Sequence, residues 1–372
     1  MLKKKLVAFS VVAIAASLFV APSAHAGAKP ASKATVGDQC LRAGVKAAGR
    51  GVNGTDLTCT AVTTGSFAGS LRWWYSDLKP FGSLEWVASS AIGGGYGTTA
   101  IAIGDAMKKE GLLKDYTVTY KTNAPLGLGY FYDQKGRNDI LLITGFAMPG
   151  GLATNGSKLT ITTAKAVAGV MREAEAFVVP TSSKYKSIQD LLTDLKANPK
   201  AVAIGGGNYG GVDHVTVATL AATVGVKATD LNYIPYSGGG SLTPDVIGGR
   251  VAVGIAGTSE FASYVAAGKM RVLAVTSPKP LKVIKGKTLV QQGVDLTFGN
   301  WRGILAPADL SAADYLNTLK IIDILHSSPS WKDTLTAKAW IDEYRVGDPF
   351  TTWIKNENKA IIDVLTEFKL VK

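Results

Sequence analysis

The hydrophobic and polar positions along the chain predict alternating strands and helices from about residue 83 onward. Apolar runs of strand length occur at residues 84–88, 116–121, 140–144, 176–179, 201–204, 231–234, 251–255 and 271–275. Helical patterns occupy residues 98–110, 188–196, 213–224, 259–267, 310–326 and 350–368. Ser187 and Asp190 form a capping box before the second of these helices. Strand–helix alternation of this kind predicts an α/β fold with parallel sheets covered by helices.

A different pattern marks the first 26 residues. Three lysines at positions 3–5 precede an apolar run over residues 6–21, and Ala24-His25-Ala26 is a small-x-small cleavage signal. This arrangement is typical of a secretory signal peptide, and the run is shorter than the ~20 residues of a spanning helix. The sequence therefore predicts export to the periplasm or cell envelope. The formal charge of +12 falls to +9, because cleavage removes the three lysines and no acid.

The chain contains two cysteines, Cys40 and Cys59. In an oxidising compartment such a pair predicts a disulfide. A metal or redox pair is disfavoured, because the spacing is not C-x-x-C and no histidine lies nearby. Residues 27–82 are predicted to form a leader and a small disulfide-bonded appendage.

Two glycine-rich loops each follow a predicted strand and open a predicted helix, at residues 93–97 and 205–211. Glycine lets a ligand approach the backbone, and a helix N-terminus offers unpaired N–H groups and partial positive charge. Together they favour binding of a carboxylate or phosphate, although tight turns without a ligand remain an alternative. The second loop also spells G-x-G-x-x-G, but export disfavours a nicotinamide-dependent enzyme.

Composition narrows the remaining chemistry. The positive charge is not gathered into a basic run, so no nucleic-acid partner is predicted. The small number of histidines and cysteines argues against a metal site, and no cofactor is predicted. Ser183 and Lys186 fit the S-x-x-K pattern of exported serine enzymes, but the partner motifs S-D-N and K-T-G are absent. A serine enzyme is therefore the weaker alternative.

Several motifs in a fixed order resemble a known family. They read GGGNYGGVDH at residues 205–214, NYIPYSGGG at 232–240, IGGRV at 247–251 and GVDLTFGNWRG at 293–303. The chain resembles the solute receptors of tripartite tricarboxylate transporters, over roughly residues 84–370. The resemblance implies a two-lobed, type II periplasmic-binding-protein-like fold that closes on its ligand like a Venus flytrap. Lobe 1 is then expected at residues 83–179 plus 297–372, and lobe 2 at residues 180–296.

The resemblance also implies which residues bind the ligand. The expected contacts are Gly93, Gly94, Gly95, Tyr96, Thr98, Asn123, Gly206, Gly207, Asn208, Tyr209, Gly210, Gly211, Asp213, His214, Ser237 and Gly238. Asp213 and His214 have an alternative role as anchors of the second loop. The family often carries an acid shortly after its first glycines, whereas this chain has Gly97 and Thr98. That departure favours a purely anionic ligand.

The expected function is a non-catalytic, monomeric receptor that captures a di- or tricarboxylate resembling citrate. It would deliver this anion to the membrane subunits of a tripartite transporter. The alternative is a sensor that presents its ligand to a membrane signalling partner.

Overall fold

The computed structural model of the protein describes residues 28–236 and 238–371. The predicted signal peptide, residues 1–26, and the predicted ligand contact Ser237 lie outside these ranges. Within them the chain forms a small N-terminal sheet followed by two α/β lobes. No helix of the described ranges combines the length and apolar character needed to span a bilayer.

The helices and strands are given in chain order. The N-terminal sheet contains β1 (Lys46–Ala47), β2 (Leu57–Val62) and β3 (Ser70–Trp74). Lobe 1 begins with β4 (Phe81–Ala88), α1 (Gly95–Lys109), β5 (Leu113–Tyr120), α2 (Ala124–Tyr132), β6 (Ile140–Gly145), α3 (Ala147–Thr154) and β7 (Lys165–Glu173). Lobe 2 contains β8 (Glu175–Pro180), α4 (Ile188–Ala197), β9 (Ala203–Gly206), α5 (Val212–Ala222), β10 (Asn232–Pro235), α6 (Gly239–Ile247), β11 (Val253–Gly257), α7 (Thr258–Ala266) and β12 (Met270–Val275). The chain returns to lobe 1 with β13 (Asn300–Ala306), α8 (Ala312–Ser327), α9 (Pro329–Lys338), β14 (Arg345–Val346) and α10 (Asp348–Glu367).

Both lobes are built on a mixed sheet. The strand order is β14-β7-β13-β6-β4-β5 in lobe 1 and β10-β9-β11-β8-β12 in lobe 2. In lobe 1, β4 runs parallel to β5 and β6, while β13 is antiparallel to β6 and β7. In lobe 2, β9 runs parallel to β10 and β11, while β8 is antiparallel to β11 and β12. The predicted α/β fold is therefore confirmed. The expected parallel pairing holds for part of each sheet, whereas the strands next to the interlobe crossings run antiparallel to their neighbours.

Two segments connect the lobes. The first is Ala174 alone, since β7 ends at Glu173 and β8 begins at Glu175 in the other sheet. The second is residues 276–299, between β12 and β13. The sequence placed the first crossing after residue 179, but β8 pairs with β11 and β12 and so belongs to lobe 2. Two connections near one edge of each sheet suit a hinge closure of the lobes.

The N-terminal sheet is fastened to lobe 1. Cys40 and Cys59 form a disulfide, with their Cα atoms 5.7 Å apart, which confirms the predicted pairing. Trp73 and Tyr75 are buried in a hydrophobic core that is continuous with that of lobe 1. Tyr75 Oη donates a hydrogen bond to Asp323 of α8, with a length of 2.6 Å. The appendage is therefore an extension of lobe 1.

Candidate functional site

The two glycine-rich loops lie where the lobes face each other. One follows β4 and opens α1, and the other follows β9 and opens α5, at the carboxyl ends of strands where α/β sheets commonly bind ligands. The second loop approaches α3 of lobe 1 so closely that a Cβ atom on Gly150 would lie 2.4 Å from the carbonyl oxygen of Gly210. We call the space between these loops the interlobe cleft.

The first loop presents unpaired donors at the start of α1. Gly93 adopts a left-handed backbone with φ +83°, and Gly94 precedes the first helical residue. The first intrahelical hydrogen bond runs from Thr98 N to Gly94 O at 3.0 Å, so the amides of residues 95–97 precede the hydrogen-bonded ladder. The hydroxyl oxygens of Ser89 and Ser90 are buried and have no hydrogen-bond partner. The loop therefore supplies donors that a carboxylate can accept.

Arg302 adds a positive charge beside this loop. It lies on β13 opposite Gly145 and is only 8% exposed. A Cβ atom on Gly95 would lie 2.6 Å from Arg302 Nη2, so glycine at this position makes room for the guanidinium. The guanidinium carbon lies 4.8 Å from the centre of the Tyr96 ring.

Only some of the N–H groups of the Arg302 guanidinium donate hydrogen bonds within the protein. Arg302 Nη1 donates to the side-chain oxygen of Asn300 and to the carbonyl of Trp301, while Nε is buried without a partner. Burial raises the pKa of the neighbouring Tyr96 hydroxyl to about 12, so this phenol stays protonated. Arg302, Ser89 and Ser90 were not among the predicted contacts. The NWRG motif, which includes Arg302, was the signal that could have identified it.

The second loop is held by its own side chains. Gly207 N donates to Asp213 Oδ2 at 2.6 Å, and Gly210 N donates to His214 Nδ1 at 3.1 Å. Gly211 N donates to the carbonyl of Asn208 at 2.9 Å. These amides are therefore occupied, and Asp213 and His214 hold the loop in place, as their alternative role required. The loop can still offer the first turn of α5, whose ladder begins with Val215 N donating to Gly211 O.

Aromatic side chains stiffen the same loop. The His214 ring lies 4.4 Å from Tyr233 and 5.1 Å from Tyr209, measured between ring centres. Burial lowers the pKa of His214 to about 4, so the imidazole is neutral at pH 7 and accepts the Gly210 amide on Nδ1. Tyr233 Oη donates to the Gly207 carbonyl at 2.7 Å. Tyr209 is half exposed, so it can contact a ligand or a partner.

Three further predicted ligand contacts, Asn123, Thr98 and Gly238, lie at or near the starts of helices. Asn123 caps α2, because its Oδ1 accepts a hydrogen bond from Leu126 N at 2.9 Å. Thr98 is half-buried in the first turns of α1. Gly238 precedes α6 with φ +139°, and a Cβ atom there would lie 3.6 Å from Glu260 Oε2.

Four carboxyl groups gather around the first interlobe crossing, and no pattern in the sequence predicted them as a group. Glu173, Glu175, Asp213 and Glu260, here called the acidic cluster, come from β7, β8, α5 and α7. Glu173 accepts a hydrogen bond from Ser259 N at 3.0 Å, and Glu260 accepts one from Gly239 N at 2.7 Å. These two carboxylates thereby cap the N-termini of α7 and α6.

Glu175 and Asp213 form the buried part of the acidic cluster. Glu175 is fully buried, and its carboxyl group shares a hydrogen bond with that of Asp213. Burial, reinforced by the charge of Asp213, raises the pKa of Glu175 well above its ordinary value. Burial raises the pKa of Asp213 to about 7, although the hydrogen bond from Gly207 N acts to lower it. The two carboxyl groups therefore share a proton near neutral pH.

The alternative serine site has the wrong local geometry. Lys186 Nζ donates to the carbonyl oxygen of Ser183 at 2.9 Å, and the Ser183 hydroxyl accepts from Tyr185 N at 3.2 Å. Neither contact places a base on the hydroxyl. Among the described residues, no group of three or more His, Cys, Asp or Glu side chains is arranged to hold a metal ion.

Comparisons with known proteins agree with this geometry. Residues 157–340 match the model of the "Tripartite tricarboxylate transporter family receptor". The chain is 28% identical over 200 residues to a UPF0065 protein encoded in the gbd 5′ region of Cupriavidus necator. That match covers 50% of this chain and 58% of the relative.

Solved structures with the same fold align with this chain over nearly their whole length. MatC from Rhodopseudomonas palustris with bound malate aligns with a TM-score of 0.62 at 16% identity, covering 77% of this chain and 100% of its own. A second R. palustris protein, with adipate, aligns with a TM-score of 0.63 at 19% identity, covering 78% and 99%. About a fifth of this chain lies outside these alignments, which matches the combined length of the predicted signal peptide, the leader and the appendage (residues 1–82).

Proposed function

We propose that the chain is a solute-binding receptor of the tripartite tricarboxylate transporter family and that it captures a small organic carboxylate in the interlobe cleft. The captured anion is then delivered to the membrane subunits of a transporter of this type. The protein acts as an exported monomer without catalysing a reaction.

The observation that carries this proposal is the pairing of Arg302 with the N-terminus of α1. A guanidinium presents donors in a fork that matches a carboxylate. The helix start adds unpaired amides and partial positive charge, and Ser89 and Ser90 add free hydroxyl donors. Buried donors without partners are unfavourable, so an anion that satisfies them gains affinity.

Binding to both lobes explains how the ligand is retained. Lobe 1 provides Arg302 and α1, while lobe 2 provides the first turn of α5 and the exposed edge of Tyr209. A ligand stabilises the closed arrangement only by contacts that the open one lacks. The crossing at Ala174 and the return segment 276–299 are the places where the backbone can rotate.

The first ligands to test are dicarboxylates. Two solved structures with the same fold contain malate and adipate, whose carbon chains differ in length. Citrate represents the tricarboxylates. Because the similarity to these structures is below 20% identity, the choice among these acids rests on measurement.

The test is calorimetric titration and thermal unfolding of the exported protein with malate, adipate and citrate. We expect one ligand per chain and a higher melting temperature, since a ligand at about 100 times its Kd stabilises the folded state by about 2.7 kcal/mol. A broader panel of organic acids that left the melting temperature unchanged would contradict the proposal.

Delivery needs a separate experiment. Vesicles that contain the cognate membrane subunits should accumulate labelled ligand only when this protein is added. Ligand-dependent stimulation of a membrane kinase, without uptake, would favour the sensor alternative.

A further inference from the structure

A second groove, lined by neither glycine-rich loop, runs between the return segment and the end of α9. One wall is formed by residues 281–283, which lie in the return segment on the lobe 2 side. The other wall belongs to lobe 1 and includes Lys332 and Leu335 of α9 and Trp340 just beyond that helix. We call this space, of about 430 Å³, the hinge groove, because one of its walls is an interlobe connection.

The floor of the hinge groove is apolar. Leu281 and Val283 are half-buried and pack against the core of lobe 2. On the other wall, Leu335 and Trp340 are buried in the core of lobe 1 but still border the groove. Lys338 Nζ lies 5.3 Å from the centre of the Trp340 ring, so a cation stands at the edge of this floor. A concave apolar surface with a charged border has the composition of a protein interface.

Lysines give the hinge groove a positive charge that the protein leaves unpaired. Residues 276–294 contain no acid and four lysines, none adjacent to another, at positions 279, 282, 285 and 287. All four are exposed, and Lys282 lines the groove opposite Lys332. Over the described ranges, none of these five lysines forms an ion pair. Asp333, next to Lys332 in the chain, does not line the groove. The charge of the groove therefore favours an anionic occupant.

The acids that border this region already have partners. Asp342 lines the hinge groove, and each of its carboxyl oxygens lies 3.0 Å from His326 Nε2. In an adjoining cavity of about 580 Å³, Glu343 pairs with Arg172 and Arg345. Neither carboxylate is free to neutralise the lysines of the groove. An occupant must therefore bring negative charge of its own.

We propose that the hinge groove is a docking surface for an acidic and apolar segment of a protein partner. Carboxylates of that segment pair with Lys282 and Lys332, and its apolar side chains occupy the floor beside Trp340. The concave floor favours a peptide over an anionic lipid surface, which would contact the lysines alone. Because the two walls belong to different lobes, rotation of the lobes changes the width of the groove, and a docked segment distinguishes the open from the closed arrangement.

The experiment measures the fluorescence anisotropy of labelled decapeptides titrated with the exported protein. The probe alternates glutamate and leucine, and the two control peptides alternate glutamate with serine and lysine with leucine. The probe should bind at least about tenfold more tightly than either control peptide, because it alone supplies both carboxylates and apolar side chains. Its affinity should fall as the ionic strength rises, since salt screens exposed charges.

Charge reversal locates the binding surface. Lys282→Glu combined with Lys332→Glu should weaken binding of the probe by about tenfold, because attraction becomes repulsion on both walls. The matched control combines Lys196→Glu with Lys355→Glu, at exposed positions of α4 and α10 that do not line the groove. It changes the net charge equally and should bind the probe as the unmodified protein does. Thermal unfolding checks that both variants fold.

Each other outcome would overturn the proposal. Equal affinity for the three peptides, or binding of none of them, would show that the groove does not select such a segment. An equal loss in the control variant would show that net charge attracts the probe. Binding to phosphatidylglycerol vesicles that requires Lys282 and Lys332, without binding of the probe, would assign the surface to a membrane. Carboxylate titration is a separate measurement, so failure here leaves the proposed function in place.

Discussion

Replacing Arg302 with methionine removes the positive charge from the cleft with little change in side-chain length. Methionine can keep the apolar contact with Tyr96, since a thioether also packs well against an aromatic ring. The bonds from Nη1 to Asn300 and the Trp301 carbonyl are lost, along with the unpartnered Nε. The variant therefore tests whether this guanidinium recognises the ligand.

The size of the expected effect follows from the burial of the group. Removing one partner of a buried, hydrogen-bonded charge pair costs about 2–5 kcal/mol of binding free energy. Taking about 3 kcal/mol, the Kd should rise roughly 150-fold. The free energy of unfolding should change far less, because loss of the internal bonds is offset by removal of a buried charge from the ligand-free protein.

Calorimetric titration with the best carboxylate measures this change, and thermal unfolding checks the fold. Arg271→Met is the matched control, because the Arg271 guanidinium donates to the carbonyls of Ser183 and Tyr185 on lobe 2. The control should bind as the unmodified protein does. If Arg302→Met keeps its affinity within about threefold while melting normally, the guanidinium does not hold the carboxylate.

Three further outcomes are expected. Gly206→Val should abolish ligand binding in a folded protein, because a Cβ atom there would lie 2.4 Å from Tyr233 Oη; unchanged affinity in titration would contradict the tight loop. Replacing Cys40 and Cys59 with serine should lower the free energy of unfolding in urea by about 3 kcal/mol, since the disulfide spans a sequence separation of 19 residues; an unchanged midpoint would contradict this. Because the folded-state pKa of Asp213, about 7, lies above its ordinary value of 3.8, its contribution to stability is complete below about pH 4 and is lost as the pH rises through 7. Urea unfolding at pH 5 and pH 8 should show this loss, at most about 1.4 kcal/mol per pH unit, and Asp213→Asn should reduce it; an equal slope in the variant would refute the assignment.

Local signals in the sequence predicted the elements that depend on local contacts. The capping box of Ser187 and Asp190 appears as expected, with each side chain bonded to the other residue's backbone, at the start of α4. By contrast, α2 and α3 were not predicted, since their sequences APLGLGYFY and AMPGGLAT contain glycine and proline. Their helical form depends on packing within lobe 1, which no local pattern encodes.

The position of the first interlobe crossing, at Ala174, also could not be predicted from local sequence. Residues 165–180 contain two apolar strands separated by Glu173-Ala174-Glu175. Nothing in that stretch says that the two strands join different sheets. The answer lies in the pairing of β8 with β11 and β12, which follow much later in the chain.

The candidate site was predictable in outline but not in its charges. Both glycine loops join a strand to a helix, as the sequence indicated, and their contact with a ligand stays a prediction. Which amides remain free could not be read from glycine count, because Asp213 and His214 occupy those of Gly207 and Gly210. The acidic cluster joins residues as far apart as Glu173 and Glu260, so only the fold brings them together.

The appendage contacts the opposite end of α1 from the cleft. Ser66 N donates to Glu110 Oε2 at 2.8 Å, immediately beyond the C-terminus of α1, whereas Gly95 opens that helix beside Arg302. A helix of 15 residues separates the two ends by about 22 Å. Lys320 of α8 likewise pairs with Asp77, on lobe 1 alone. Because these contacts involve no residue of lobe 2, we expect closure of the cleft to leave them intact and the appendage to stabilise lobe 1.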